Sequence, residues 1–374
     1  MTDLSDMTSA APAVDFDREV YCVLGLPVDA VDMDGAVAAV RRAAASGRRC
    51  MVSTPNLNFL AGALSDPAFR DSVLESDLCL ADGMPLVWVA RALGLPIRSR
   101  VAGSDLFAAL AKHPGPPLRV YFFGGPDGAA QAACERVNAN AHGLRCVGFD
   151  SPGFVSIEAM SDAPRIARIN GSGAQFVVAA LGARKGQAWL RHNRAQLRAP
   201  VLCHLGAVVN FAAGRVRRAP AWLQRLGLEW LWRIGQEPAL WRRYAGDGLA
   251  LLRLMATRVL PLMRARDDSP AGDACITSHA AGGHCTLTLR GGWTAERLAP
   301  LRAALAQAAA SAGRLTLVLR DATHVDSAFI GLLMLAPRAF AGGVDIVEAS
   351  PRVARLFRLH CADFLLAPAR GSHA

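Results

Sequence analysis

Two short polar stretches follow predicted strands and a third follows a predicted helix, and together they contain residue types that enzymes use for catalysis. Asp82 ends the apolar run at 78–81 and is followed by Gly83 and a helix-like stretch. A carboxylate at the carboxyl end of a buried strand lies where open α/β sheets place their chemistry. Because Asp-Gly is also an ordinary turn pair, Asp82 alone favours a structural role. Its companions, Thr-Pro-Asn at 54–56 and Arg-Val-Ala-Gly-Ser-Asp at 100–105, favour catalysis.

A carboxylate held in a cleft with a raised pKa suits the removal of a proton from an attacking hydroxyl group. Asp82 is therefore the candidate general base, and Asp105 is the second candidate. Asp105 immediately precedes a predicted helix, so a capping or first-turn carboxylate explains it better. Thr54 and Asn56 are candidate substrate ligands, and Asn56 equally suits an Asx turn or a helix cap.

Two glycines, Gly124 and Gly125, end another predicted strand and precede a helix. This geometry lets backbone N–H groups approach a diphosphate. A plain tight turn explains the pair equally well. The surrounding residues lack a full GxGxxG motif and an acidic ribose ligand, so a dinucleotide site is not predicted.

The elements that position these residues alternate between short apolar runs and helical patterns. Two-sided apolar strands separated by helices are typical of a parallel sheet covered by helices. We therefore predict an α/β fold with a Rossmann-like, mainly parallel sheet and helices on both faces. The candidate strands are 50–54, 78–81, 119–124, 144–149, 174–181 and 200–206.

Changes in composition divide the chain into five parts. A flexible lead is predicted first, then the α/β core, and then a basic amphipathic helical appendage rich in Trp and Arg. A stretch with linker composition separates these from a smaller C-terminal α/β domain that has a β-α-β-α-β-α pattern. The predicted boundaries are 1–19, 20–213, 214–263, 264–283 and 284–374.

The net charge of +10 and the pI near 9.6 favour an anionic partner. Nucleic acid is not predicted, because no helix-turn-helix, RNP or zinc pattern is present. Nine scattered cysteines without a C-x-x-C pair are interpreted as reduced thiols of a cytosolic protein. We expect no signal peptide, no membrane-spanning helix, no metal site and no cofactor.

The first part of the chain resembles the WecG/TagA/CpsF family of bacterial glycosyltransferases over roughly residues 20–245. The resemblance rests on several separated stretches in the right order, and the C-terminal domain resembles STAS domains through its element order and VDSAFIG. The matching stretches are STPNLNFL (53–60), DLCLADGMPLVWVARALG (77–94), RVAGSDL (100–106), VYFFGG (120–125), RAPAWLQRLGLEWLWR (218–233), EP (237–238), RRY (242–244) and VDSAFIG (325–331).

The resemblance implies inverting, metal-independent transfer of a sugar from a UDP-sugar to a polyprenyl-diphosphate-linked acceptor in cell-surface polysaccharide synthesis. It places the protein on the cytoplasmic face of the plasma membrane as a peripheral protein, with a tendency to self-associate. By position, Asp82 matches the general base and Thr54 and Asn56 match active-site polar residues. The full set of candidate substrate-binding residues is Thr54, Asn56, Gly83, Arg100, Gly103, Asp105, Gly124, Gly125, Lys185 and Gln187.

One motif departs from the family pattern G-[SA]-P-K-Q-E-x-W. The chain keeps Gly182, Lys185 and Trp189 but has Arg184 at the proline, Gly186 at the glutamine and Gln187 at the glutamate. Gln187 is a candidate to replace the lost glutamine from one position along. Altered donor preference and low activity remain alternative consequences.

The appendage predicts contact with phosphate or with an anionic membrane. Arginines can stabilise a leaving diphosphate, while tryptophans and leucines can enter the lipid interface. A helical hairpin with a solvated basic face is the structural alternative. Trp230 and Trp232 cannot share a helix face, so one should pack inward. The candidate contact residues are Arg215, Arg217, Arg218, Arg233, Arg242, Arg243, Trp222 and Trp230.

Ser327 follows Asp326 at a strand-to-helix turn of the STAS-like domain. It is a candidate regulatory phosphorylation site, although a simple N-cap role fits the position better. A second functional hypothesis therefore remains open beside the enzyme. In that hypothesis the chain is a degenerate, nucleotide-sugar-binding or regulatory protein that acts on a protein partner through the STAS-like domain.

Overall fold

A computed structural model describes residues 14–140, 142–215, 219–220, 223, 229–236, 238–265 and 272–366. Three structural parts are visible: an α/β core with an N-terminal hairpin, a helical appendage, and a C-terminal α/β domain. The predicted fold class is confirmed.

The core is a six-stranded sheet in which every described pairing is parallel. The strand order is β4-β3-β8-β7-β5-β6. The direction in which the chain adds strands therefore changes between the neighbouring strands β3 and β8. Apolar residues on both faces of these strands are buried by helices, as parallel sheets require. The strands are β3 (Cys50–Ser53), β4 (Leu78–Cys79), β5 (Leu118–Gly124), β6 (Leu144–Asp150), β7 (Phe176–Ala180) and β8 (Val201–His204).

Helices cover both faces of the core sheet, and several begin at side-chain caps that the sequence supplies. Asp32, Asn56, Asp66 and Asp162 each accept a backbone N–H from the first turn of the following helix. The helices are α1 (Met33–Ser46), α2 (Leu57–Ser65), α3 (Pro67–Leu74), α4 (Met84–Ala92), α5 (Gly103–Lys112), α6 (Ala129–Asn140), α7 (Ala163–Gly171), α8 (Ala183–Asn193) and α9 (Val208–Ala212).

An antiparallel hairpin, β1 (Val20–Val23) and β2 (Leu26–Asp29), precedes the core and was not predicted. The prediction of a flexible lead over 1–19 is wrong for residues 14–19, because Phe16 is buried and Arg18 pairs with buried Asp29 at 2.7 Å. Residues 1–13 lie outside the described residues. The lead therefore packs against the rest of the chain from residue 14 onward.

The appendage consists of α10 (Glu229–Gln236), α11 (Trp241–Leu254) and α12 (Leu260–Ala265). A π-helical turn over Met255–Val259 joins the last two helices. Leu254, Val259 and Leu262 are buried in an apolar cluster shared with the core helices and the C-terminal domain. This stretch therefore lies between the two α/β domains.

The C-terminal domain has a four-stranded sheet of order β12-β11-β10-β9. Its first strand lies inside the predicted linker 264–283, and that boundary is wrong because the strand pairs antiparallel with β10. The elements are β9 (Cys275–Ala281), β10 (His284–Trp293), α13 (Ala299–Ser311), β11 (Arg314–Val325), α14 (Ser327–Leu335), β12 (Val344–Val347) and α15 (Pro351–Leu359).

The cysteines correct another prediction. Cys134 on α6 and Cys146 on β6 form a disulfide with a Cα–Cα distance of 5.2 Å. The expectation of nine reduced thiols is therefore wrong for this pair. The other seven cysteines, all of them within the described residues, are free, and most of them are buried as expected.

Candidate active site

Asp82 lies at the carboxyl edge of the sheet, where three polypeptide segments meet. Its backbone N–H donates to the Pro55 carbonyl at 2.8 Å, which ties it to the loop after β3. Its Oδ2 accepts the backbone N–H of Gly103 at 3.3 Å, at the start of α5. The side chain is partly exposed. The three polar stretches that the sequence singled out therefore converge.

Burial raises the pKa of Asp82 to about 6. The hydrogen bond from Gly103 and the positive charge of Arg100 oppose this rise, while the carboxylates of Glu229 and Asp105 add to it. Asp82 is therefore ionised at neutral pH and still basic enough to accept a proton from a hydroxyl group. This combination is what a general base requires.

Thr54 and Gly103 pack against each other beneath this carboxylate. A Cβ atom at Gly103 would lie 3.2 Å from Thr54 Cγ2 and only 2.3 Å from Leu205 Cδ2. Glycine is thus required at position 103 for α5 to approach β3 and β8. Thr54 is buried, with about 5% of its surface exposed. Both residues fix the geometry of the Asp82 loop.

Asn56 and Gly83 lie next to each other beside Asp82. Asn56 Oδ1 accepts the Phe59 N–H at 3.1 Å, so Asn56 caps α2. This agrees with the structural interpretation of Asn56 as a helix cap. Gly83 has φ of +148°, a conformation that side chains disfavour, and a Cβ there would lie 3.5 Å from Asn56 Cβ. Gly83 thereby allows the chain to turn from Asp82 into α4 beside Asn56.

Arg100 joins the site to the appendage. Its Nη2 lies 2.7 Å from Asp105 Oδ2, and its Nη1 lies 2.9 Å from Glu229 Oε2 on α10. Asp105 is in the first turn of α5, which agrees with the structural interpretation of this carboxylate. Two carboxylates therefore already engage the guanidinium that was expected to bind substrate.

Gly124 and Gly125 lie at the same edge of the sheet, at the end of β5. Both have φ of +92°, and Gly124 packs so tightly that a Cβ would lie 3.0 Å from the Ala180 carbonyl oxygen. β5 lies four places from β4 in the sheet, about 19 Å at the usual strand spacing. Arg215 Nη2 donates to the Asp127 carbonyl at 2.8 Å, which places this arginine above the start of α6.

Gln187 does not reach a substrate, and its predicted role is wrong. It lies on the buried face of α8, where its Nε2 donates to Ser53 Oγ at 2.6 Å. Since Gln187 points into the protein, it cannot replace the glutamine that the family pattern places at position 186. Lys185, one residue before Gly186, donates to the Val155 carbonyl.

His204 occupies the space beside Gly186, and sequence reasoning missed it. A Cβ at position 186 would lie 2.1 Å from His204 Cδ2. Burial lowers the pKa of His204, so its ring is neutral. Its Nε2 is bonded to the Leu181 carbonyl, and its Nδ1 has no partner among the described residues. The glycine in the altered motif was the only sequence signal for this histidine.

A cavity of about 660 Å³ lies between α3 and α8, and Asp82 is not among its lining residues. Basic and acidic side chains both border it, including Arg184, Lys185, Arg191 and Asp66. We place the candidate active site at Asp82 because a partly exposed carboxylate with a raised pKa and the converging loops occur there. Among the described residues, no group of three or more His, Cys, Asp or Glu side chains could hold a metal ion.

The appendage presents apolar and basic side chains to solvent. Trp230 is exposed and lies 6.0 Å from the Tyr244 ring, whereas Trp232 is more buried, as their spacing predicted. Arg242 and Arg243 are exposed, Arg233 is half-buried, and Arg217, Arg218 and Trp222 lie outside the described residues. The exposed large apolar residues of the appendage are Trp230, Leu231, Trp241, Leu249, Leu252, Leu260 and Met263.

None of the helices in the described ranges is both long and apolar enough to cross a membrane.

Ser327 is not accessible as a phosphorylation site in this structure. It is buried, and its Oγ donates to the Cys22 carbonyl of the N-terminal hairpin at 2.9 Å. The neighbouring Asp326, rather than Ser327, caps α14 by accepting the Phe329 N–H at 2.9 Å. The N-cap interpretation of Ser327 is therefore wrong, and the predicted phosphorylation would require the buried hydroxyl to become exposed.

The parallel sheet with a carboxylate of raised pKa at its carboxyl edge defines an α/β protein with a candidate active site there. Residues 21–264 match the family model "Glycosyl transferase WecG/TagA/CpsF family", and residues 276–366 match the model "Mlab, STAS domain". The chain belongs to the WecG/TagA/CpsF family of glycosyltransferases and carries a C-terminal STAS domain.

Two curated relatives carry the same name, N-acetylglucosaminyldiphosphoundecaprenol N-acetyl-beta-D-mannosaminyltransferase. The one from Bacillus spizizenii is 31% identical over 199 residues, which is 53% of this chain and 74% of the relative. The one from Bacillus subtilis is 27% identical over 194 residues, which is 52% of this chain and 74% of the relative.

Proposed function

We propose that this glycosyltransferase moves a sugar from a UDP-sugar to a sugar carried on a polyprenyl diphosphate, with inversion and with Asp82 as the general base. The observation that carries the proposal is the position of Asp82 at the sheet crevice with its pKa raised to about 6. The names of the two relatives support a lipid-linked acceptor of this class.

In the proposed reaction, the acceptor hydroxyl attacks the anomeric carbon from the face opposite the nucleotide. A new C–O bond forms, the bond to the diphosphate breaks, and the hydroxyl proton passes to Asp82. The Gly103 N–H orients the carboxylate, and this hydrogen bond and the charge of Arg100 both favour its ionised form. Thr54, Asn56 and Gly83 fix the position of the Asp82 loop beside the acceptor.

The departing UDP carries negative charge that a metal-independent enzyme must stabilise with its own cations. Arg215 lies above the start of α6, near the turn formed by Gly124 and Gly125. Arg233, Arg242 and Arg243 on the appendage are further candidates. Since β5 and β4 are about 19 Å apart, Arg215 suits the diphosphate end of an extended donor better than its reacting carbon.

The acceptor lipid implies work at a membrane surface, and the appendage supports this. Leu249 and Leu252 on α11 are about 70% and 68% exposed, next to exposed arginines and Trp241. Apolar side chains flanked by arginines suit the interface of an anionic bilayer. We propose peripheral attachment through this face, on the cytoplasmic side of the plasma membrane, where UDP-sugars would be available.

The regulatory alternative rests on the altered 182–187 motif, in which Gln187 is buried and His204 fills the space beside Gly186. Calorimetric titration with UDP, a panel of UDP-sugars and an ADP-sugar control separates the two functions. Thermal unfolding with the same compounds is a second readout, since a ligand of the folded state raises the Tm.

The enzyme hypothesis expects selective binding of uridine compounds and transfer of label to a polyprenyl-diphosphate sugar. Binding of uridine compounds with no transfer in the presence of acceptor would favour the regulator. No nucleotide binding at all would reject the enzyme hypothesis. It would also reject a regulator that binds a UDP-sugar, and would favour a regulator that binds none.

A further inference from the structure

The C-terminal domain buries its most apolar helix against the N-terminal hairpin. All nine residues of α14 are buried. A Cβ at Gly331 would lie 2.4 Å from the Val20 carbonyl oxygen, so α14 touches the backbone of β1 directly. Ser327 Oγ donates to the Cys22 carbonyl at 2.9 Å. The face of the STAS domain around Ser327 is therefore occupied by the same chain.

A second contact lies at the turn of the hairpin. Gly25 has φ of +88°, and a Cβ there would lie 2.6 Å from the Cys361 carbonyl oxygen, just after α15. Cys22 Sγ lies 3.5 Å from the His360 carbonyl oxygen. Close backbone approaches at both Gly25 and Gly331 indicate a fitted interface rather than a loose association of domains.

The charged part of the interface reaches the core. Arg338, just after α14, donates through Nη1 to the Ser76 carbonyl at 3.0 Å, and its Nη2 pairs with Asp77 Oδ1. The other oxygen of Asp77 accepts Arg194 Nη2 at 2.9 Å and the Met51 N–H at 2.8 Å. Arg338 and Asp77 expose only 15% and 20% of their side chains, so water screens their interaction weakly.

The segment that Arg338 holds leads directly to Asp82. Asp77 immediately precedes β4, which is an edge strand with two ladder pairs to its neighbour, Val52 with Leu78 and Ser53 with Cys79. Backbone N–H groups of Asp77, Leu80 and Asp82 also donate to the carbonyls of Met51, Ser53 and Pro55, so the pairing with the neighbouring segment continues on both sides of the strand. Additional bonds at Asp77, before the strand, help determine where Asp82, after the strand, is placed.

We propose that the STAS domain has the transferase itself as its partner, and that Arg338 is a positioning residue that holds β4 and thereby Asp82. The domain acts as a fixed structural part of the catalytic unit. The α14 face binds the β1–β2 hairpin in place of a separate protein. The kinetic part of this inference rests on the proposed function, whereas the structural part does not.

The test compares full-length Arg338→Ala and Arg338→Lys with a control, Arg320→Ala. Arg320 also forms an arginine–carboxylate pair, with Glu348 at 2.9 Å, but lies on the exposed side of the same domain. Hydrogen exchange is measured for peptides covering residues 76–84 and for peptides of β10 and β11. Transfer kinetics give kcat and the KM for the donor.

We expect exchange over 76–84 to be at least about tenfold faster in Arg338→Ala, with β10 and β11 as protected as in the wild type. The kcat should fall about tenfold with donor KM within threefold, because the base is misplaced while donor contacts persist. Arg338→Lys keeps the positive charge but loses the planar guanidinium that donates through two nitrogens. Its exchange rate over 76–84 and its kcat should therefore lie between those of the wild type and Arg338→Ala. Arg320→Ala should match the wild type in every measurement.

Unchanged exchange over 76–84 in Arg338→Ala would overturn the inference, as would faster exchange with an unchanged kcat. If the wild type transfers no sugar, the proposed function fails, and the exchange data alone then decide whether the C-terminal domain holds β4. Faster exchange throughout β10 and β11 as well would indicate general loss of the domain fold and contradict a local positioning role.

Discussion

Arg100 Nη1 lies 2.9 Å from Glu229 Oε2, and this ion pair connects the loop beside Asp82 to the first described helix of the appendage. Arg100 Nη2 also contacts Asp105 at 2.7 Å. The charges of all three groups act on the Asp82 carboxyl. The appendage is therefore coupled to the pKa of the candidate base as well as to the shape of the site.

Glu229→Gln should move the acid limb of the pH profile of kcat/KM to lower pH. Glu229 raises the pKa of Asp82, so removing its charge lowers that pKa and leaves the base ionised in more acidic solution. Arg100→Gln should move the limb to higher pH, because Arg100 lowers the same pKa.

Glu296→Gln, an exposed carboxylate of the C-terminal domain, is the control and should leave the profile unchanged. Shifts of the same sign in Glu229→Gln and Arg100→Gln would contradict this electrostatic account of the site.

Gly186→Gln, which restores the family residue, should destabilise the protein. The new Cβ would lie 2.1 Å from His204 Cδ2, and overpacking of this kind costs about 1–3 kcal/mol. The double variant Gly186→Gln/His204→Gly should recover most of the lost Tm, because it removes the clashing ring. Equal Tm values for the wild type and Gly186→Gln would show that the His204 ring moves aside freely.

Replacing Leu249 and Leu252 together by Asp should weaken binding to anionic vesicles by at least about tenfold. Both side chains are exposed, and each leucine removed from water contributes about 1.5–3 kcal/mol. Phe154→Asp is the matched control, since Phe154 is fully exposed on the loop after β6, at the other edge of the sheet from β4. Co-sedimentation with phosphatidylglycerol-containing vesicles measures both variants, and equal losses would argue against a specific face.

The sequence predicts the core sheet well because parallel strands are apolar on both faces and their flanking helices carry recognisable caps. All six predicted core strands are present, although β4 contains only Leu78 and Cys79 of the predicted 78–81. The hairpin was missed because Val20–Asp29 is short and its burial depends on α14, more than 300 residues away. Packing against an element so distant in the sequence leaves no periodic pattern of apolar residues within the hairpin itself.

The site was predicted in part. Asp82, Thr54 and Asn56 could be brought together because residues that follow neighbouring parallel strands share one edge of the sheet. The burial of Gln187 could not be predicted from the sequence, because it depends on a hydrogen bond to Ser53, which lies on another element. The Arg100–Glu229 pair also joins segments far apart in the sequence, and opposite charges alone do not reveal which partners meet.

Wild-type kcat/KM should decline as the pH falls below about 6, since protonation of Asp82 removes the base. The effect on stability has the opposite sign. A carboxyl whose pKa is raised on folding favours the folded state below its unfolded pKa, near 3.8, and loses that contribution as the pH rises through about 6. Asp82→Asn should therefore raise the Tm at pH 7–8 relative to the wild type, with a smaller difference near pH 4.

The most direct test is the rate of sugar transfer from a labelled UDP-sugar to a polyprenyl-diphosphate-linked acceptor by Asp82→Asn, with Asp32→Asn as control. Asp32 caps α1 at an exposed position, and asparagine caps equally well. The account predicts that Asp82→Asn loses about 10²–10⁴-fold in kcat while retaining donor binding, and that Asp32→Asn keeps full activity. Transfer by Asp82→Asn at the wild-type rate would contradict it.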